Sequence, residues 1–369
     1  MSSTAVRIDV PVIREASFED HPQIAALESK YGLVPKSFAE WTHLWLANPT
    51  YTAIQDKWPI GWVLAEGKQV VGYFGNIPLA YEYNGRSITV ATGRSWAVAP
   101  HYRTFAPLLL EQFFNQPNVE LCLTTTANLN ASRVLTAIGA LPVPVGAWDQ
   151  SEVWITKHWQ FSRSWLRNRK FPASWAWVLA PALLAKAAFS RARLPAVVGT
   201  EVEHSTAFDA RFDEFWEDLR AQKRASLLAV RTRRILEWHF KQPLARNQVW
   251  ILSISRGTRL RAYAIFLERR NPATGTGSLL LVDFQALDGD EQMISPILAS
   301  ALQRSKQQNL HSVEKIGLSI GSGTMALAPH RRKRGFWSYY YKSNDGNLSE
   351  MLKNPGAWSP SLLDGDATL

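Results

Sequence analysis

Five stretches of this chain recur in the same order about 190 residues further on. "EWTHLWLANP" (40–49) is echoed by "RILEWHFKQP" (234–243), and "EGKQVVGYFG" (66–75) by "RGTRLRAYAI" (256–265). "ITVATGRSWAVAP" has a counterpart in "GSLLLVDFQAL", the helical pattern 104–116 in "MISPILASALQRSKQQ", and "VELCLTTT" in "VEKIGLSI". "RRKRGFWSYYYK" then stands where the first half has "VLTAIGALPVPVG", with Gly335 near the position of Gly139. Each echo alone is faint, but their common order and spacing make chance a poor explanation. The chain reads as two similar units, so whatever fold the first half adopts constrains the second.

The first unit has a definite order of elements. "RIDVPVIREA" is strand-like. Ser17, with Asp20 three residues on, opens a helix whose Ile24, Leu27 and Tyr31 share a face. A second helix, "PKSFAEWTHLWLANP", runs to Pro49. Three antiparallel strands then span about Trp62 to Val98, divided by "EGKQ" and by Asn84-Gly85, a strong two-residue hairpin signal. A turn leads into the helix 104–116, the strand "VELCLTTT", a helix from Ala131 to Ile138, and a last strand "PVPVGAWDQSEVWIT". Three consecutive hairpin-linked strands are not a run of βαβ units, which argues against a doubly wound nucleotide fold. The fold class expected is α/β, with two tandem units, each a mixed, mostly antiparallel sheet flanked by helices.

The 369 residues suffice for two domains, and 46% hydrophobic residues supply their cores. Cys122 is the only cysteine, in an apolar strand, so disulfides and cysteine metal sites are excluded and an inert core thiol is expected. The first twenty residues lack an apolar signal core, and no apolar run reaches 18 residues, so a cytoplasmic location is expected. The formal charge of +10 is uneven. Between Glu152 and Glu201 there is no acid, and eight basic residues from Lys157 to Arg193 carry most of the excess. Domain boundaries are therefore placed at 1–155, a basic Trp-rich linker 156–204, and 205–369. The linker's centre, "SWAWVLAPALLAKAAF", is too short to span a bilayer. It reads as a helix pair packed between domains or, given its basic flanks, as a peripheral membrane contact through 157–193.

The strand "SWAVAP" runs into a turn and then the helix "TFAPLLLEQFF". The first amides of a helix are unsatisfied donors at a positive dipole end, suited to a pyrophosphate, and Arg103 adds a charge-assisted partner. Further on, "NLNASRVLTAIGA" places Asn128, Ala131 and Gly139 at spacings of 3 and 11. Together these residues resemble the GNAT superfamily, the acyl-CoA-dependent N-acyltransferases, whose signature is Arg/Gln-x-x-Gly-x-Gly/Ala at a helix start followed by Asn-x-x-Ala…Gly. The resemblance covers about 9–155 and, more weakly, 205–345, an arrangement like that of the two-domain, FemAB-like acyltransferases. Ala106 and Leu108 stand where the family has glycines, and Leu135 where it often has a tyrosine acting as general acid.

The resemblance implies acetyl-CoA or another acyl-CoA as co-substrate and an amine acceptor, small or polymer-linked. It implies that Trp96, Ala97 and Val98 offer backbone groups to the pantetheine arm, and that Arg103, Thr104, Phe105, Ala106, Pro107 and Leu108 form the pyrophosphate turn. Asn128 and Ala131 would flank the arm. For the general base, the candidates are Asp149, after the last strand, Tyr73 and Glu82 in the hairpin strands, and His101 in the turn. In the second unit Asp288, Asp290 and Glu291 occupy the equivalent turn and would repel phosphate, so CoA binding there is expected to be lost. Near the C-terminus "AWSPSLLDGDATL" also offers Asp364 and Asp366 as bases, against the reading of a disordered acidic tail. "PHRRKRGFWSYYYK" (329–342) is basic and aromatic, but its place in the repeat predicts arginines at a helix end and alternating tyrosines in a sheet, so no nucleic-acid partner is expected. The sequence also contains no P-loop, serine elbow or metal-ligand spacing.

Overall fold

In the computed structural model, the residues described are 10–54, 58–145, 148, 150–168, 173–175, 177, 181, 201–271, 275–317, 328–335 and 338–369. Asn84 and Gly85 both take positive φ, 53° and 74°, as a two-residue hairpin turn requires. They join β3 (Gln69–Tyr83) to β4 (Arg86–Val98), with β1 (Val12–Glu15) and β2 (Gly61–Glu66) alongside. β5 (Leu121–Ala127) joins β4 in parallel, and the remaining pairs of this sheet are antiparallel. The capping box at Ser17 and Asp20 forms as expected.

The two halves trade strands. Only the short β6 (Leu141–Pro142) keeps the expected last strand of the first half in the first sheet. β7 (Gln150–Ile155) crosses to the second sheet. After β8 (Glu203–Ser205), β9 (Leu228–Ala229) returns briefly to pair with β3. β10 (Val249–Arg256), β11 (Arg259–Asn271) and β12 (Thr276–Ala286) form an antiparallel run, and β13 (Ser312–Ile316) lies parallel to β12. β14 (Arg331–Arg334) pairs with β7, whereas β15 (Ser338–Ser343) goes back to the first sheet beside β5. The first sheet is ordered β1-β2-β3-β4-β5-β15-β6, and the second β14-β7-β13-β12-β11-β10-β8. This corrects two expectations: "VPVGAWDQSEVWIT" is not one strand of the first unit, and Arg331–Arg334 form an edge strand rather than a helix terminus. In each case an extended segment pairs with the sheet edge that lies open to it.

The first core packs Trp41 on Trp45, 4.9 Å between ring centroids. Asn76, wholly buried, fixes the middle of β3. Its carbonyl accepts from Trp45 Nε1 and Trp58 Nε1, and its amide donates to the Pro59 carbonyl and Gln116. Such a hub is stable in the core because every polar group has a partner. Helices Phe38–Leu46 and Arg233–Ala245 meet through a reciprocal pair: Trp238 Nε1 donates to the His43 carbonyl, and the His43 ring lies 2.9 Å from the Trp238 carbonyl. Cys122 is buried with its thiol 3.3 Å from the Phe113 carbonyl, and burial pushes its pKa up, as fits an inert core residue.

Residues 361–369 do not form a solvated tail. Arg231, 2% exposed, donates through Nε to Asp283 at 2.9 Å and through Nη2 to Asp364 at 2.9 Å. Burial opposes the charge of Asp283, but Arg231 overrides it and holds that carboxyl below its usual range. Burial pushes the Asp364 carboxyl up to about 6 against the pull of Arg231. The Asp364 carbonyl accepts from Tyr81 Oη at 2.5 Å. Gly365 then lies so close to β5 that a Cβ there would fall 2.2 Å from the Thr125 methyl group.

Candidate active site

β4 and β5 pair only over Val90–Thr92 and Leu121–Leu123, and then part. A bulge in β4 accompanies the parting: Ala97 faces Tyr73 and Arg94 faces Gly75, leaving Ser95 and Trp96 opposite Phe74 alone. Ser95 takes φ 57°, a left-handed conformation that costs a non-glycine residue about 1–2 kcal/mol. Gly93 has no side chain because the Phe74 ring lies on it; a Cβ would sit 2.3 Å from Cζ. On its far side β5 is held by β15, with Thr124 opposite Tyr340.

The parted strands enclose a cavity of about 270 Å³. Leu33, Val34, Phe74, Leu110 and Leu135 make its apolar lining, and Arg94, Ser95, Trp96, Thr124, Thr126, Asn128 and Asp366 its polar lining. Trp96 Nε1, Thr124 Oγ1 and Arg94 Nε are buried without a hydrogen-bond partner. The ladder sets the backbone direction. Ala99 donates to the Val71 carbonyl, so alternation makes Ala97 the next bonded residue and turns the Val98 N–H away from β3, toward the side from which β5 has departed.

The residues expected from sequence fall into three groups. Trp96, Asn128 and Ala131 line the cavity. The Asn128 side chain also caps the helix Leu129–Ala137, accepting from the amides of Asn130 and Ala131 at 3.1 and 3.0 Å, which leaves its NH₂ group for the cleft. Ala97 is buried in the core beside it, and Val98 contributes backbone. The turn 103–108 is not loose. Pro100–Phe105 form a 3₁₀ helix that leads directly into the helix Ala106–Phe114. The amides of Tyr102 and Ala106 are already bonded to the carbonyls of Ala99 and Arg103. Arg103, Thr104 and Leu108 are exposed, Phe105 and Pro107 half-buried, and Ala106 buried.

The proposed bases do not meet at this cavity. Tyr73 is buried against Trp41 with its hydroxyl unpartnered, and burial raises its pKa strongly. Glu82 accepts from Arg220 at 3.0 Å and pairs across the ladder with Ser87. That places it nine residues along β3 from Tyr73, about 30 Å away. Asp149 lies outside the described residues.

The carboxylate at the cavity is Asp366. It accepts from Thr125 Oγ1 at 2.7 Å and from Thr126 Oγ1 at 3.0 Å. Burial raises its pKa, opposed by the threonine hydroxyls and the Arg94 charge. Arg94 Nη1 donates to the Leu369 carbonyl at 2.7 Å and Thr368 Oγ1 lies 2.7 Å from His239 Nε2, while Arg231 holds Asp364, so the segment is fixed on both sides of Asp366. In the sequence Asp366 is offered as a base but reads more readily as part of a solvated tail, because Gly-Asp lies near a chain end. The signal available was the buried pair Leu362-Leu363 just before it.

In the second sheet the equivalent turn is occupied by its own acids. Asp288, with φ 56°, is ion-paired to Arg261, and Asp290 caps the Gln292 amide.

No family model matches the sequence, and no curated protein matches it. Solved structures do match in fold. The Saccharomyces cerevisiae N-myristoyltransferase with bound myristoyl-CoA superimposes with a TM-score of 0.55 at 12% identity, covering 93% of this chain and 81% of the other. A GCN5-related N-acetyltransferase from Anabaena variabilis gives 0.53 at 15%, covering 91% and 73%. A probable N-acyltransferase from Enterococcus faecalis gives 0.55 at 12%, covering 90% and 72%. Each match covers nine tenths or more of this chain. The chain has the fold of the GNAT acyl-CoA N-acyltransferases.

Proposed function

We propose that this chain is an acyltransferase that moves an acyl group from an acyl-CoA thioester to an amine, in the cleft between β4 and β5. The observation that carries the reading is the parted parallel pair with the Val98 N–H turned toward the opening. The pantetheine arm would lie between the strand edges, with Asn128 and Ala131 beside it, and the thioester oxygen would accept from Val98. Arg103 and the exposed start of the following helix would hold the pyrophosphate. The apolar wall of Phe74, Leu110 and Leu135 would take the acyl chain. The amine nitrogen attacks the carbonyl carbon, the C–N bond forms and the C–S bond breaks. Asp366 accepts the amine proton, and the CoA thiolate is protonated from solvent, because Leu135 offers no phenol. The second sheet, with Asp288 and Asp290 at its equivalent turn, would shape the acceptor side rather than bind CoA.

The acceptor we propose is a small or polymer-linked amine, such as an amino sugar or a cell-envelope intermediate. Trp175 and Trp177, exposed in the basic segment, support delivery from a membrane surface. Among the described residues no helix is long and apolar enough to cross a membrane.

Asp366→Asn keeps an acceptor for the threonines but cannot take a proton. It is expected to lower kcat by about 10² to 10⁴ with little change in KM for acyl-CoA, read as thiol release against a panel of amines. In the unmodified enzyme the rate rises with pH as Asp366 ionises. Because its pKa is raised, that limb lies above the ordinary carboxylate range. A variant within about threefold of the parent removes Asp366 from the chemistry.

One observation favours a second reading, a non-catalytic, membrane-peripheral binding protein. The 3₁₀ helix Pro100–Phe105 occupies its own amides where a phosphate loop would leave them open. That protein would bind no acyl-CoA, or bind it without releasing thiol for any amine.

A further inference from the structure

A second cavity lies in the second sheet, away from the cleft. It measures about 540 Å³. Its floor is one face of the sheet, fixed by register: Arg269 pairs with Ser278, Ser278 with Ser312, Glu314 with Val153, and Val153 with Arg331, with Lys333 two residues on. Strand alternation sorts the charges of β14. Arg332 turns to the opposite face, where Glu152 accepts its Nε at 3.0 Å and also pairs with Lys315. Arg331 and Lys333 stay on the cavity face. Phe161, from the helix His158–Asn168, closes one side.

Among the described residues, the result is a concave site lined by Arg269, Arg270, Arg331 and Lys333 and by one carboxylate, Glu314. Arg270 is paired with Glu268 at the rim. His311 adds a donor of fixed direction. Its Nδ1 accepts from the Gly277 amide at 2.9 Å, so the ring proton sits on Nε2. Burial, together with Arg270 and Lys157, lowers its pKa and keeps the ring neutral. Ser278, Ser312 and Thr276 supply hydroxyls.

This is not a second acyl-CoA cleft. In the first sheet the cleft opens beyond the C-terminal ends of the paired segments of β4 and β5. The residues here, Thr276–Ser278 and His311–Ser312, are at the N-terminal ends of β12 and β13. One basic feature that the acyl-transfer reading does not use, "HRRKR", supplies Arg331 and Lys333 to this place.

We propose that this cavity binds a phosphate group carried by a ligand of nucleotide or headgroup size. Planar guanidinium groups suit two oxygens of a phosphate, and a concave polar floor with a surplus of positive charge suits a multiply charged ester. The phosphate reaches the site either on a soluble molecule or on an anionic lipid at a membrane surface.

The test is calorimetric titration with inorganic tripolyphosphate, and in parallel flotation with vesicles of phosphatidylcholine alone or with phosphatidylserine. Both are run on the full chain, on Arg331→Glu/Lys333→Glu, and on Lys68→Glu as a control on the exposed turn between β2 and β3. The proposal predicts that one probe binds the parent and Lys68→Glu equally, and that the double variant binds it about a hundredfold more weakly. Tripolyphosphate binding identifies a soluble source, and serine-dependent flotation identifies a lipid source. Both residues lie on an edge strand, so circular dichroism should show an unchanged fold. The milder Lys333→Gln, expected to lower affinity by about tenfold, covers the case in which it does not. Binding unchanged in the double variant, or no binding of either probe to the parent, overturns the proposal.

Discussion

Replacing Arg231 by methionine is expected to cost about 3–5 kcal/mol of folding stability and to lower Tm by about 5–10 °C. The guanidinium is the only cation among the described partners of Asp283 and Asp364, and all three side chains are buried. Removing it strands two carboxylates in the core. The sign of the pH effect follows. Without Arg231 both folded-state pKa values lie above the unfolded value, so protonation favours the fold at low pH and that stability is lost as pH rises. The deficit relative to the parent should therefore be smaller at pH 5 than at pH 8. Replacing all three charges with apolar residues is expected to recover most of the loss, because the harm lies in the uncompensated charge. Thermal unfolding at the two pH values decides the matter. An Arg231→Met protein as stable as the parent, or one whose deficit grows at low pH, contradicts the role assigned to the triad. Because Asp364 is two residues from Asp366, thiol release should fall along with stability, and by more than unfolding alone accounts for at 20 °C.

Filling the cleft should abolish its ligand. Ala131 is half-buried at the start of the helix Leu129–Ala137 and lines the cavity between the parted strands. Ala131→Trp puts an indole where the pantetheine arm is proposed to run. The expected result is acyl-CoA affinity lowered by about a hundredfold or more, with stability changed by no more than about 1 kcal/mol because the site is at a rim. Gly93→Ala is the harsher alternative. Its methyl group would meet the Phe74 ring, so it should unfold the bulge as well as block the site. Affinity that survives Ala131→Trp would move the ligand elsewhere.

Much of the fold could be read from local chemistry. Asn84-Gly85, the Ser17–Asp20 box and the alternation from Trp62 to Val98 each specify their own geometry within a few residues. So does Asn128, whose capping geometry is encoded by its position before an apolar helix. The exchange of β7 and β15 was not legible, because "QSEVWI" and "SYYYKS" carry no local mark of the sheet that receives them; only the open edges of β13 and β5 decide. The site was legible to the same extent. Trp96, Asn128 and Ala131, which the family resemblance implies, line the cavity. Arg94 and Thr124 enter the cleft through the bulge, and Asp366 through a segment anchored by a buried arginine some 130 residues earlier in the chain. No local pattern encodes a long-range ion pair of that kind. Tyr73 and Glu82 drew notice as titratable groups on the right strands, but their distance from the cleft depends on sheet register, which the sequence leaves open.

The central claim is that the cleft between β4 and β5 holds acyl-CoA, and calorimetric titration of the unmodified chain with acetyl-, octanoyl- and myristoyl-CoA tests it most directly. The account predicts one site per chain for at least one of these, with heat abolished in Ala131→Trp and reduced in Arg103→Glu. Absence of binding for all three thioesters would contradict it and leave the acyltransferase fold serving recognition alone.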